Sequence, residues 1–295
     1  MPRLALAILV AALPLFAADK KKDPSEIGGR NVAGRVNIYS LEKELALGRQ
    51  LSIEVQKQAR IVDDPIVSEY INRLGQNLVR NSDVTFPVSF TLIEADDINA
   101  FTLPGGYIFV NTATLKLSDN EAELASVLAH EIGHAAARHA TRQITRDQLI
   151  SAGTLPLVFL GGWPGLAVQQ AASVAAPMAF FHFSRAFETE ADLLGIQYLW
   201  KAGYDPNASV DMFERIESME KKQPGSVSKL FRTHPLTPER IEKTQKNIAE
   251  LLPVRPEYVL NTSEYEEIRA RLYSLTAPRK PDAKEPELPT LRRAQ

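Results

Sequence analysis

The sequence predicts an α+β fold, mostly helical, with one small β-sheet. Apolar residues recur at helical spacing from Ser40 to Leu78 and again after Ser118 and Ser184. One region, Phe86 to Val110, switches to the two-residue alternation of strands. Cap and turn residues punctuate these stretches, and no internal repeat is present. With 295 residues, 44% of them apolar, the chain can build a sizeable core.

The elements follow in order. Residues 1–18 read as a signal peptide, with Arg3 as the positive start, an apolar stretch from Leu4 to Phe16, and Ala17-Ala18 as small residues for cleavage. An uncleaved membrane anchor is the alternative. Residues 19–39 are charged and glycine-containing, and are expected to form a linker or extended arm. A domain over residues 40–276 opens with a helix from Ser40 to about Ile61, whose Leu41, Leu45, Leu51 and Val55 share a face. Asp64-Pro65 predicts an N-cap and first helical residue, followed by a stripe of Ile66, Tyr70, Ile71, Leu74 and Leu78. Phe86, Val88, Phe90 and Leu92 alternate as a strand, near a sheet edge because of Pro87. Gly105-Gly106 predicts a hairpin between two further short strands.

Ser118 and Glu121 fit a capping box that opens a helix running to about His139. Another helix is expected from Ser184 to just before Gly203, and further starts at Asp205-Pro206 and Thr237-Pro238. Residues 277–295, rich in Pro, Lys and Glu, are expected to be a disordered tail. Between Gln148 and Ser184 there is no Asp, Glu, Lys or Arg, but Pro and Gly interrupt the run repeatedly. That favours a buried hairpin or a cover over the site, with peripheral membrane contact through 149–183 also expected.

Composition excludes several functions. A net charge of −2 with mixed signs gives no basic stripe for nucleic acid. The absence of cysteine removes disulfides, thiolate metal sites and thiol nucleophiles.

The chemistry lies in His130-Glu131-Ile-Gly-His134, an HExxH motif within a predicted helix. Residues four apart lie about 40° from one another around a helix, so both imidazoles leave one face, as a zinc site requires. Glu131 is then placed to take a proton from a water held there. Two histidines leave the ion short of a ligand. Glu188 and Asp192, at i and i+4 on the later helix, share a face, so that one can bind metal and the other accept the N–H of a ligand histidine. Glu190 points about 160° away from Glu188 and is the weaker candidate. His139, about 140° from His134 on a continuous helix, faces away in a structural role. His182, among aromatics, is assigned to the core.

These residues, with the Leu47-Gly48 helix, Asn99-Ala-Phe, Pro104-Gly-Gly, Arg138-His139 and Ser184-Arg185, resemble the zinc metallopeptidase family that includes HtpX, the prenyl-protein (CAAX) endopeptidase and BepA. The resemblance spans Ser40 to Arg240. It implies a zincin-type (gluzincin) domain with one Zn2+ per chain on His130, His134 and Glu188, and Asp192 as outer partner. It implies that a substrate polypeptide pairs along the strand from Asn99, Ala100 and Phe101 to Phe109. His234-Pro235 and Arg240 resemble a further motif of the periplasmic branch. There the histidine approaches the metal, either closing the site or stabilising the oxyanion, and the arginine lines it. The sequence lacks the several clean membrane spans of HtpX and the CAAX enzyme. It also carries no helical repeat array such as BepA has. The expectation is an exported endopeptidase, periplasmic or otherwise outside the cytoplasm. The competing reading is a chaperone or assembly factor with an idle metal site.

Overall fold

The computed structural model describes residues 20–34, 36–159, 183–222 and 234–277. The apolar start at 1–18, the tail beyond 277, and most of 149–183 including His182 lie outside the described residues.

Helix α1, Leu41–Gln58, begins on Ser40, whose hydroxyl accepts from Lys43 N. Its most buried positions are not the predicted leucines but Glu44, Gly48 and Ser52, while Leu41, Leu45, Leu51 and Val55 are half-buried. The cause is a close approach: a Cβ on Gly48 would stand 1.8 Å from Pro104 O. Only glycine lets the helix lie against that turn. Helix α2, Pro65–Arg80, is capped as expected, with Asp64 accepting from Val67 N at 3.0 Å. Tyr70, Ile71, Leu74 and Leu78 are buried. Ile66 is 51% exposed, because Val67, one position on, takes the core face instead.

Strands β1 (Ser89–Ile93), β2 (Ala100–Leu103) and β3 (Tyr107–Asn111) form one sheet in the order β1-β3-β2. β1 runs parallel to β3 from the pair Ser89↔Tyr107, and β2 runs antiparallel to it from Ala100↔Val110. The predicted hairpin is β2–β3, closed by Pro104–Gly106 with Gly105 and Gly106 at φ of 73° and 82°. Pro87 indeed precedes an edge strand.

Helices α3 (Thr112–Leu117), α4 (Glu121–Ala136), α5 (His139–Phe159), α6 (Arg185–Lys201), α7 (Ala208–Lys222), α8 (Pro238–Leu251) and α9 (Ser263–Thr276) follow. The predicted starts at Ser184 and Thr237-Pro238 are present, and Gly203 at φ 96° follows α6. The capping box before α4 is shifted by two residues. Asn120 caps it by accepting from Glu123 N, and Glu123 in turn accepts from Asp119 N. Ser118 is already committed to the end of α3, where its hydroxyl donates to Thr114 O. Glu121 instead accepts from Tyr204 and Thr262.

The helix predicted to reach His139 stops at Ala136. Arg138 adopts φ 54°, a left-handed conformation that non-glycine residues seldom take, and α5 starts afresh. Buried Glu44 holds the break: it accepts from Arg138 Nε at 2.6 Å, Thr141 Oγ1 at 2.8 Å and Gly105 N at 3.3 Å. One α1 carboxylate thereby ties the helix break to the β-hairpin turn.

Helix α4 runs through the core, with Leu124, Leu128 and Ile132 fully buried beside Ile71, Leu78, Val110 and Leu194. Its closest partner is α6. A Cβ on Gly133 would stand 2.9 Å from Ala191 O, and one on Gly195 3.1 Å from His130 Cα. Small residues on both helices let their backbones approach. The segment before α1 is anchored on this core: Arg30 Nε donates to Asp83 Oδ2 at 2.8 Å, and Tyr198 donates to the same oxygen at 2.9 Å. Among the described residues no helix is long and apolar enough to cross a membrane.

Candidate metal centre

The close packing of α4 against α6 sets the site. α4 contributes His130, Glu131 and His134 from one face, α6 contributes Glu188 and Asp192, and the chain before α8 contributes His234. All are buried except His130, which is 13% exposed at its side chain. One donor atom each from His130, His134, Glu188 and His234 lies within 4.8 Å of the others.

The individual distances are tighter. His130 Nε2 and His134 Nε2 are 3.0 Å apart. Glu188 Oε2 is 3.5 Å from His130 Nε2, and Glu188 Oε1 is 3.4 Å from His134 Nε2. His234 Nδ1 lies 3.4 Å from His130 Nε2 and 3.1 Å from Glu188 Oε1. A tetrahedral ion with nitrogen ligands at about 2.0–2.1 Å gives donor–donor edges of about 3.3 Å. Three imidazole nitrogens and one carboxylate oxygen spaced this way fit such an ion in both chemistry and size.

The surrounding charges favour it too. Burial opposes charge on both partners, yet Asp192 and Glu188 hold the His130 pKa up at about 10. Burial drives the His134 pKa well below its ordinary value, against the pull of Glu188. Glu188 is itself pushed up by burial, but the neighbouring His234 and His134 outweigh this and keep it well below the ordinary carboxylate range.

The groups behind the cluster are as ordered as the cluster. His130 Nδ1 lies 3.0 Å from Asp192 Oδ1, the contact expected of an outer partner. Arg240 grips Asp192 with two parallel bonds of 2.7 and 2.8 Å, reaches Glu188 Oε2 at 3.1 Å, and donates to Pro235 O at 2.9 Å. It thus pins the residue after His234 to the carboxylates of α6. Glu131 Oε2 accepts from Thr102 Oγ1 of β2 at 2.7 Å, and its Oε1 lies 3.5 Å from His234 Nε2. Asn99 immediately precedes β2 and Ala100 and Phe101 open it; β2 is an edge strand beside α4.

Two residues that sequence reasoning set aside belong to this site. His139 does not face away. Because the helix breaks at Arg138, its Nδ1 comes to 3.0 Å from His134 Nδ1, and its Nε2 to 3.1 Å from Glu190 Oε2. Phe183 stacks on His134 and Phe187 on His139. Glu190 does point away from the cluster, as helical geometry predicts, but toward His139, Arg142 and Lys21. Burial raises its pKa, yet His139 and Lys21 outweigh that and hold it down at about 2. No local signal announced these roles, nor that of Thr102. A left-handed arginine inside an apparent helix leaves no mark on periodicity.

Comparison with known proteins adds to this geometry. The family model described as Peptidase family M48 matches residues 65–248. The chain is 31% identical to a beta-barrel assembly-enhancing protease of Yersinia pestis, over 72% of this chain and 46% of that protein. It is 31% identical to a putative beta-barrel assembly-enhancing protease of Vibrio cholerae, over 86% and 54%. It is 36% identical to the mitochondrial metalloendopeptidase OMA1 of Schizosaccharomyces pombe, over 61% and 53%. The chain spans about half the length of the curated relatives it matches.

Proposed function

The chain belongs to peptidase family M48, and on that premise we propose that it is a zinc-dependent endopeptidase acting on polypeptides outside the cytoplasm. The observation that carries this reading is the convergence of His130, His134 and Glu188, brought from two helices to within bonding reach of one ion, with Glu131 alongside. The apolar start of the sequence and the relatives named for beta-barrel assembly favour an envelope setting and a role in protein quality control there.

His130, His134 and Glu188 would hold the ion. Bound there, zinc supplies Lewis acidity, lowering the pKa of a water and polarising the scissile carbonyl. The chain's own residues do the rest. Glu131 Oε1 accepts the proton of the attacking water and later delivers it to the leaving amine. Thr102, by occupying Oε2, leaves Oε1 as the working oxygen. Asp192, gripped by Arg240, fixes the ring of His130 through Nδ1. An extended substrate would pair along the segment Asn99, Ala100 and Phe101 through the outward backbone groups of Ala100 and Thr102, because Asn99 gives its carbonyl to Asn111 N and its N–H to Thr114 Oγ1 and Phe101 faces β3.

His234 is the fourth donor of the cluster, and its ring lies between the other donors and Glu131. A fourth protein ligand closes a zinc site that catalysis needs open. We therefore read this arrangement as a resting, closed state from which His234 withdraws. Cleavage of an unfolded polypeptide tests both halves. The zinc-loaded Glu131→Gln chain retains its metal and loses cleavage by about 10²-fold or more, whereas His234→Ala cleaves faster than the parent. Undiminished cleavage in Glu131→Gln would remove Glu131 as the base, full biological activity in that variant without cleavage would return the chain to the chaperone reading, and an unchanged rate in His234→Ala would remove the closure.

A further inference from the structure

Glu44 of α1 is 1% exposed and takes no part in the metal cluster, yet its carboxylate gathers three other segments. Its Oε2 accepts from Arg138 Nε at 2.6 Å, in the break before α5, and from Thr141 Oγ1 at 2.8 Å, within α5. Its Oε1 accepts from Gly105 N at 3.3 Å, in the turn between β2 and β3. Burying a carboxylate is costly, and a well-packed apolar residue often serves stability as well or better. What an apolar residue cannot do is hold a guanidinium, a hydroxyl and a backbone N–H at fixed points around it.

Arg138 stands one residue past Ala137, the C-cap of α4, where glycine usually takes the left-handed conformation. A side chain is strained there at φ 54°. The guanidinium of Arg138 holds it in place, through Glu44 and through a 2.8 Å bond to Tyr39 O. On a continuous helix His139 would lie about 140° from His134. With the break, its Nδ1 comes to 3.0 Å from His134 Nδ1. We propose, on the peptidase reading, that Glu44 is a positioning residue for both halves of the site. Through Arg138 it places His139 behind the metal ligand His134. Through Gly105 it places the hairpin whose strand β2 receives the substrate.

The test is a repair experiment on the full chain. Glu44→Met removes both acceptors with little change in side-chain length. Zinc affinity in chelator competition should fall about 10- to 100-fold, the usual contribution of a partner behind a ligand histidine. Adding Arg138→Gly removes the stranded guanidinium and lets residue 138 turn left-handed unaided, so the double variant should regain affinity to within about threefold of the parent. With zinc saturating, KM for an unfolded polypeptide should stay raised by about threefold or more in both variants, because Gly105 still lacks its acceptor and β2 is less preorganised. Unchanged zinc affinity in Glu44→Met, a loss that Arg138→Gly does not repair, or a double variant whose KM matches the parent's would each overturn the assignment. If Glu44→Met does not fold, Glu44→Gln, which keeps one acceptor oxygen but no charge, reads the zinc loss and its repair. Failure of every such variant to fold would make Glu44 a residue of general stability and overturn the assignment as well. Zinc loss and repair in a chain that cuts no peptide would uphold the link to the metal and refute the peptidase. Unmoved zinc affinity in a chain that does cut peptides would refute the assignment alone, and a parent that binds no zinc would refute both.

Discussion

His134 is held from both sides of its ring. When Nε2 keeps its lone pair for a metal, Nδ1 carries the proton and donates to His139 Nδ1. His139 must then carry its own proton on Nε2, donating to Glu190. Only one arrangement of protons satisfies the row, so the distant carboxylate selects the tautomer that binds metal. Outer partners of this kind typically contribute 10- to 100-fold in metal affinity. His139→Phe and Glu190→Gln should therefore weaken zinc binding by about that factor in chelator competition, with the helical circular dichroism signal unchanged. Affinity equal to the parent's in both would show the row to be merely packing. HExxH and Glu188 were legible at this scale because a helix repeats its faces every three to four residues. His139 was not, since its position depends on the left-handed turn at Arg138. That turn is secured by Glu44, 94 residues earlier in the chain.

Between elements, the decisive contact is α4 on α6. The caps that start these helices were readable in kind, and Ser184 is where the sequence puts it. Before α4, however, two overlapping registers, Ser118 to Glu121 and Asn120 to Glu123, competed. The outcome turned on the end of α3 claiming Ser118 and on Tyr204 and Thr262 claiming Glu121. Less legible was the need for Gly133 and Gly195, because a glycine within a helix looks only like a weak point. Their role is distance: without side chains there, Glu188 comes within 3.5 Å of both histidines. Gly133→Ala raises helix propensity by about 1 kcal/mol, but its Cβ would press on the Ala191 backbone at 2.9 Å. We expect a folded chain of undiminished helix content whose zinc affinity drops at least tenfold. Retained affinity would mean that the two helices do not set the site.

Across the whole molecule, the sheet, α4 and α6 form one unit, and the segment before α1 closes over it. The sequence suggested an arm at 19–39 without saying where it binds, since a single arginine among many does not reveal its partner. Arg30 and Asp83 have side chains only 1% and 0% exposed, and Tyr198 of α6 shares the same carboxylate. Removing one member of such a buried pair costs about 3–5 kcal/mol, because the other is left charged and unpaired. Arg30→Ala should lower unfolding stability by that amount in urea titration, and a loss below about 0.5 kcal/mol, the range of ordinary surface substitutions, would contradict the anchoring role. Lys21 of the same segment pairs with Glu190, so the arm also touches the row of side chains behind His134.

An anomalous difference map recorded at the zinc absorption edge, from crystals of the chain purified without chelator, addresses the convergence itself. One peak per chain is expected, bonded to His130 Nε2, His134 Nε2 and a carboxylate oxygen of Glu188. No peak at this cluster, or a bound zinc from which Glu188 stands apart, would contradict it.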